Sequence, residues 1–141
     1  MPQVDRGRIV VLGRSLDGAA AAAVAHSRAP RAVVLQQTVT TLADMVAEAG
    51  LPRSLAGDAL DCLSAVKAYS GPIFLGHGRA DGIIPFAHGQ RLAVAAADRS
   101  QGRHRFAAFD RRYSTITLFS EIRAAVLDSL SETLCRAMAG S

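Results

Sequence analysis

Four short apolar runs punctuate the chain. The first is Ile9, Val10, Val11 and Leu12, and the second is Ala32, Val33, Val34 and Leu35. The third is Ile73, Phe74 and Leu75, and a more mixed fourth lies at 105–109. Continuous apolar runs of this length, rich in branched side chains, predict strands buried on both faces, as in a parallel sheet. Gly13 is expected to end the first of them. Helical patterns fill the intervals. From Asp17 to Val24 nearly every residue is alanine, the strongest helix former, which predicts a helix to about Ser27. Thr40 or Thr41 is placed to cap a short helix over 42–49. The pattern over 58–63 predicts one short helix within an irregular stretch. A helix is expected from Pro85 to about Ala97. Ile116, Phe119, Ile122, Val126, Leu127, Leu130, Leu134 and Met138 recur at steps of three and four, which predicts a long amphipathic helix over 114–139.

This alternation of strand and helix implies an α/β class: a three-layer domain with a short, mainly parallel sheet and helices on both faces. In such sheets functional groups gather outside the carboxyl ends of the strands. Two candidates fall there. Ser15 lies in a very short turn between the first strand and the alanine helix. Asp81 lies in the loop His77-Gly-Arg-Ala-Asp-Gly82 after the third strand. A hydroxyl at such a turn projects above the sheet edge, and the first helical N–H groups point at whatever it attacks. Ser15 fits equally well as a helix N-cap in an ordinary tight connection. The turn alone leaves both readings open.

Composition narrows the class further. A chain of 141 residues corresponds to one domain and can bury a substantial core. Half the residues are hydrophobic and 20% are charged, which argues against disorder. No apolar run approaches the roughly 20 residues needed to span a bilayer. Residues 1–7 are too short and polar for a signal peptide, so a cytoplasmic protein is the expectation. Cys62 and Cys135 lie far apart without metal-type spacing, so reduced thiols, no metal and no cofactor are expected. The net charge of +4 is carried almost wholly by arginine, Lys67 being the only lysine. With 5% aromatic residues, that charge makes a poor case for a nucleic-acid partner. Arg99, Arg103, Arg105, Arg111 and Arg112 crowd around His104, as an anion site or, preferably, a solvated positive rim. The Gly13 to Gly18 turn matches neither dinucleotide-binding nor P-loop spacing.

Gly13-Arg14-Ser15-Leu16 resembles the nucleophile elbow of the α/β-hydrolase family, near its small esterase and acyl-hydrolase branch. Ile73-Phe-Leu-Gly-His-Gly-Arg-Ala-Asp81-Gly-Ile-Ile-Pro85-Phe-Ala-His-Gly89 resembles the strand and loop that carry the family's triad acid. Serine followed by aspartate is also the family's chain order. The final helix resembles the one that closes the fold. The similarity runs from Arg8 to about Leu134 and concerns the family's C-terminal half: residues 1–141 read as one hydrolase-like domain whose early family strands, which would precede Met1, are absent. The resemblance implies a serine-type ester or amide hydrolase acting on a small ester or acyl substrate. Ser15 would be the nucleophile, Asp81 would orient the base, and the Leu16 backbone N–H would be one oxyanion donor.

The pattern departs from the family's in three places. Asp17 stands where the family motif has glycine, with Gly18 one residue later. Tyr113 stands about where the family carries its histidine. Among the four histidines, His26 reads as a helix-terminus partner and His77 and His88 as structural, which leaves His104 as the candidate base. His104 precedes the last strand, however, and should emerge at the edge opposite Ser15. Finally, without earlier strands, Ile9 to Leu12 becomes an edge, and its unpaired backbone predicts a homo-oligomer formed by strand pairing. The alternatives to an active hydrolase are a catalytically silent hydrolase-like binding or assembly domain, and an N-terminally truncated fragment of a larger hydrolase.

Overall fold

The computed structural model describes residues 8–57, 59–110 and 123. The elements in chain order are β1 (Val10–Arg14), α1 (Asp17–Arg28), β2 (Ala32–Gln36), α2 (Leu42–Glu48), α3 (Cys62–Ala68), β3 (Ile73–Gly78), α4 (Phe86–Ala97) and β4 (His104–Phe109). The four strands form one parallel sheet in the order β1-β2-β3-β4. Strands laid down in sequential order by crossovers of one hand place their helices on one face. That is the arrangement here: α1, α3 and α4 bury Ala22, Ala25, Cys62, Val66, Leu92 and Ala96 against Val33, Leu35, Ile73 and Leu75 in one core. Val34 and Phe74, with Ala107 and Phe109, form a smaller cluster on the other face. The long helix expected over 114–139 lies outside the described residues, as does Tyr113.

Several expectations change in the structure. Helices are expected on both faces of the sheet, whereas α1, α3 and α4 pack on one. Gly13 does not end β1, which continues to Arg14 with Gly13 in register with Leu35. Its glycine serves close packing: a Cβ there would stand 2.5 Å from the Asp17 carbonyl oxygen and 2.6 Å from the Ala21 Cβ. The alanines of α1 complete that approach by offering no bulk to the strand. The first apolar run is also not buried on both faces. As the sheet's edge it leaves Val10 37% and Leu12 46% exposed.

Helix starts follow local capping chemistry. Thr41 caps α2, its hydroxyl accepting from the Asp44 N–H at 2.9 Å. The short helix expected over 58–63 begins instead at Cys62, because Asp61 accepts from the Ser64 N–H at 3.0 Å and so fixes the first turn. No helix among the described residues is long and apolar enough to cross a membrane.

Replacing Gly13 with alanine inserts a methyl group into backbone that cannot move aside. Gly13→Ala should lose about 1–3 kcal/mol of stability, read as a lower urea midpoint at unchanged slope. Wild-type stability in this variant would show that the helix is free to shift away from the strand.

Candidate active site at the carboxyl edge of the sheet

Ser15 follows β1 directly and adopts φ = +56°, a left-handed conformation that residues other than glycine rarely take. Its own N–H donates to the Gln36 carbonyl at 3.0 Å, and its carbonyl accepts from the Gly18 N–H at 3.3 Å. These bonds tie the strained turn to β2 on one side and to α1 on the other. The N-cap of α1 is Leu16, with no side-chain capping bond. Capping therefore does not account for Ser15. Among the described residues no backbone carbonyl takes the Leu16 N–H. Asp17, where a glycine was expected, is exposed at the head of α1. Gly18 meets the tight contact instead: a Cβ there would lie 2.0 Å from the Thr38 Oγ1.

Asp81 lies in the loop after β3, at the same sheet edge, with β2 between the two strands. Two strand spacings separate β1 from β3 by roughly 10 Å. The Asp81 side chain is 1% exposed. Its Oδ1 accepts from the Ile83 N–H at 2.9 Å and from the Ile84 N–H at 3.0 Å. Its Oδ2 is buried with no hydrogen-bond donor among the described residues. One carboxylate oxygen thus folds the loop, while the other accepts no bond from the described residues.

The four histidines are all placed away from that oxygen's bonding distance. His77 comes nearest, its Nε2 standing 4.0 Å from Asp81 Oδ2, but that nitrogen donates to the Ile84 carbonyl at 2.9 Å. Its ring packs on Gly89, where a Cβ would lie 2.7 Å from Nδ1. Burial pushes the His77 imidazole below its ordinary pKa, against the opposing pull of the Ile84 carbonyl and the Asp81 charge. His88 is buried between other partners. Its Nδ1 accepts from the Thr40 N–H at 3.0 Å, so its proton sits on Nε2, which donates to Glu48 Oε2 at 2.8 Å. His26 is exposed in the last turn of α1. His104, the candidate base, opens β4 opposite Ile73, while Gly78 pairs with Phe109. It lies five residues, roughly 16 Å, back along the strand from the edge that carries Asp81. That opposite edge is the one at which the sequence placed it: a parallel strand carries its first and last residues to opposite edges of the sheet.

Two further features carry no signal in the residue pattern. Gln37, the residue after β2, has φ = +48° and a buried Oε1 without a partner among the described residues. Thr40, Asp44, Arg53 and Arg91 form a polar cluster beside His88. The Thr40 hydroxyl and Arg53 both bond the Asp44 carboxylate, and Arg91 Nη1 approaches it at 3.2 Å. Burial opposes ionisation of Asp44, yet these partners together hold its carboxyl below the ordinary carboxylate range. Of the arginines grouped near His104, Arg111 and Arg112 lie outside the described residues and Arg105 is exposed, whereas Arg99 is not part of a solvated rim. Arg99 spends its guanidinium on the carbonyls of Ala96, Tyr69, Gly71 and Arg103, at 2.7–3.0 Å, and so clamps the amino edge of the sheet. Burial pushes the Cys62 thiol up to about 12, so it is no nucleophile. Among the described residues no group of three or more His, Cys, Asp and Glu side chains is placed to hold a metal ion.

No protein-family profile matches the chain. Solved structures do match its backbone. Acylaminoacyl peptidase of Pyrococcus horikoshii superposes with a TM-score of 0.64 at 22% identity, over 78% of this chain and 20% of that one. The acetyl ester-xyloside bifunctional hydrolase of Caldicellulosiruptor lactoaceticus gives a TM-score of 0.67 at 21% identity, over 93% of this chain and 58% of that one. A puromycin-hydrolyzing peptidase of Mycobacterium tuberculosis gives 0.59 at 18%, over 74% of this chain and 18% of that one. The chain has part of an α/β-hydrolase fold. By sequence it is 35% identical over 98 residues to the uncharacterized protein Rv2307c of Mycobacterium tuberculosis, covering 67% of this chain. The same identity holds for the uncharacterized protein MT2364 of that species. The chain spans about a third, 35%, of the length of these curated relatives. Within the hydrolase fold, Ser15 and Asp81 stand after the first and third of the four described strands, on one rim.

The burial of His77 sets a pH dependence. An unfolded histidine takes up its proton near pH 6.5, while the folded one does so only at lower pH. The unfolded state therefore binds more protons below pH 6.5. The stability associated with a neutral His77 is present above that value and is lost as pH falls through the folded pKa. Urea midpoints should fall between pH 7 and pH 5, and His77→Gln should make that decline shallower. An equally steep decline in the variant would assign the proton uptake elsewhere.

Proposed function

We propose that the chain is the nucleophile-and-acid portion of a serine-type hydrolase acting on a small ester or amide. The observation that carries this reading is the pairing of a strained Ser15 with an Asp81 whose Oδ1 is fixed by two backbone N–H groups and whose Oδ2 is buried without a donor among the described residues, both on one rim of a parallel sheet. Structural neighbours that are peptidases and esterases support it. In this reading Ser15 Oγ attacks the acyl carbon and gives its proton to a base oriented by Asp81 Oδ2. The Leu16 N–H meets the charge that develops on the carbonyl oxygen. The leaving group departs with that proton, and water then cleaves the acyl–Ser15 ester. Leu16 and Ile83, at 45% and 64% exposure, flank the two groups in sequence and offer apolar surface to an acyl chain. A cytoplasmic setting and a small-molecule substrate rather than a nucleic acid belong to the same reading.

The placement of all four histidines favours a second reading, a catalytically silent hydrolase-like domain used for binding or assembly. A fluorophosphonate probe separates the two. In an active protein the probe should label Ser15, with no labelling in Ser15→Ala and a rate at least about tenfold lower in Asp81→Asn. Folded protein that stays unlabelled leaves the silent domain.

We also propose that β1 is the seam of a homo-oligomer. Its outer edge has no strand partner among the described residues, and Ile9, Val10 and Leu12 are exposed along it. Sedimentation at micromolar concentration should show a dimer that Leu12→Lys converts to monomer. A wild-type monomer would refute the pairing.

A further inference from the structure

The acid loop holds a buried titratable side chain that the proposed reaction does not use. His77 is 1% exposed, and its Nε2–H donates to the Ile84 carbonyl at 2.9 Å. That bond closes the loop from one side, while the Ile83 and Ile84 N–H groups close it on Asp81 Oδ1 from the other. The same Nε2 stands 4.0 Å from Asp81 Oδ2, on a side chain equally buried. One N–H therefore faces two acceptors, a neutral carbonyl and a carboxylate. With a neutral ring the carbonyl has it. A cationic donor bonds a carboxylate at about 2.7–2.9 Å and roughly twice as strongly as a neutral pair. A ring with an added proton therefore favours the carboxylate, and closing the gap takes a movement of roughly 1 Å. The surroundings leave space for it. A Cβ at Gly82 would meet nothing within 4 Å and Ile83 is 64% exposed, so no packing holds the loop tip. Gly89 offers no Cβ against Nδ1, the nitrogen that takes the added proton.

The charged and titratable groups around the ring come from few elements. Asp81 in its own loop favours protonation, and His88 of α4, itself bonded to Glu48 of α2, opposes it. Phe86 of α4 meets the ring edge to face at 5.8 Å and carries the Arg79 guanidinium over its own ring at 5.1 Å. The register partner on β4 is Ala108, and β2 ends in Gln36 before Gln37, so neither strand adds a charge there. Burial outweighs the pull of Asp81, so the proton arrives on the acid side of pH 6.5. We propose that His77 is an acid-sensing latch: on taking a second proton it moves its Nε2–H from the Ile84 carbonyl to Asp81 Oδ2, opening the loop over 82–84 and withdrawing the carboxylate from the rim. The latch blocks the acid and is no base for Ser15. Its hold on catalysis rests on the hydrolase reading above; the exchange of hydrogen-bond partners does not.

The test follows the full chain by NMR from pH 8 to pH 4.5, through the His77 ring nitrogens, the Asp81 Cγ and the Ile84 carbonyl carbon. One titration step shared by all three is expected below pH 6.5, with circular dichroism showing the fold intact through it. In Asp81→Asn the His77 step should move down by at least about one pH unit, because the countercharge is gone, and the Ile84 carbonyl should no longer follow it. In His77→Gln the Ile84 carbonyl should show no step. The two variants remove opposite ends of the contact, so either one that folds decides. A His77 step that leaves the wild-type Ile84 carbonyl unmoved would overturn the latch. So would global unfolding ahead of the step, or a ring that stays neutral to pH 4.5. Fluorophosphonate labelling of Ser15 keeps this proposal apart from the hydrolase reading. Between pH 7 and pH 5 the wild-type rate should fall at least about threefold further than that of His77→Gln; equal falls would overturn the hold on the site. Partner exchange in a chain that is never labelled upholds the latch and removes the hydrolase reading. Labelling without exchange keeps that reading and removes the latch.

Discussion

The structure depends on one close approach. At Gly13 the strand and the helix after it come so near that no Cβ fits between Gly13, Asp17 and Ala21. To reverse direction within two residues the chain must place Ser15 in the left-handed region, and the bonds from Ser15 to Gln36 and from Gly18 to Ser15 hold it there. The strain is local, of the order of 1–3 kcal/mol, and the alanine face of α1 packed on Val33 and Leu35 offsets it. The hydroxyl's position above the sheet follows from the turn.

The acid loop is built by a different rule, the satisfaction of buried polar groups. The His77 N–H closes on the Ile84 carbonyl, while Ile83 and Ile84 close on Asp81 Oδ1. Gly89 makes room for the His77 ring. One carboxylate oxygen of this knot has no donor among the described residues, and it sits on the same rim as Ser15. Thr40, His88, Glu48 and Asp44 form a second knot between the loop after β2 and α4. Thr40 and His88 are both fully buried, so this knot fastens the loop rather than meeting a substrate.

Much of the fold was legible in the pattern of residues. Three apolar runs and an alanine helix follow from period and propensity, because a buried parallel strand and a helix packed on it tolerate little else. The rim shared by Ser15 and Asp81 was also legible, since residues that leave parallel strands at their carboxyl ends must share an edge. The end of β1 was misread because a glycine signals a break in one context and a tight contact in another; only the position of Ala21 distinguishes them.

The sequence by itself determined the order of elements, the parallel sheet, the serine turn and the acid loop, all of which are set by short-range pattern. Tertiary structure alone decided the partners of each histidine, the isolation of Asp81 Oδ2 and the exposure of β1. Those depend on which distant atoms arrive beside a group: Glu48 at His88, Thr38 at Gly18, and among the described residues no donor at Asp81 Oδ2. Local propensity carries no information about such meetings, because a side chain's protonation and reach are set by neighbours that the chain brings together only on folding.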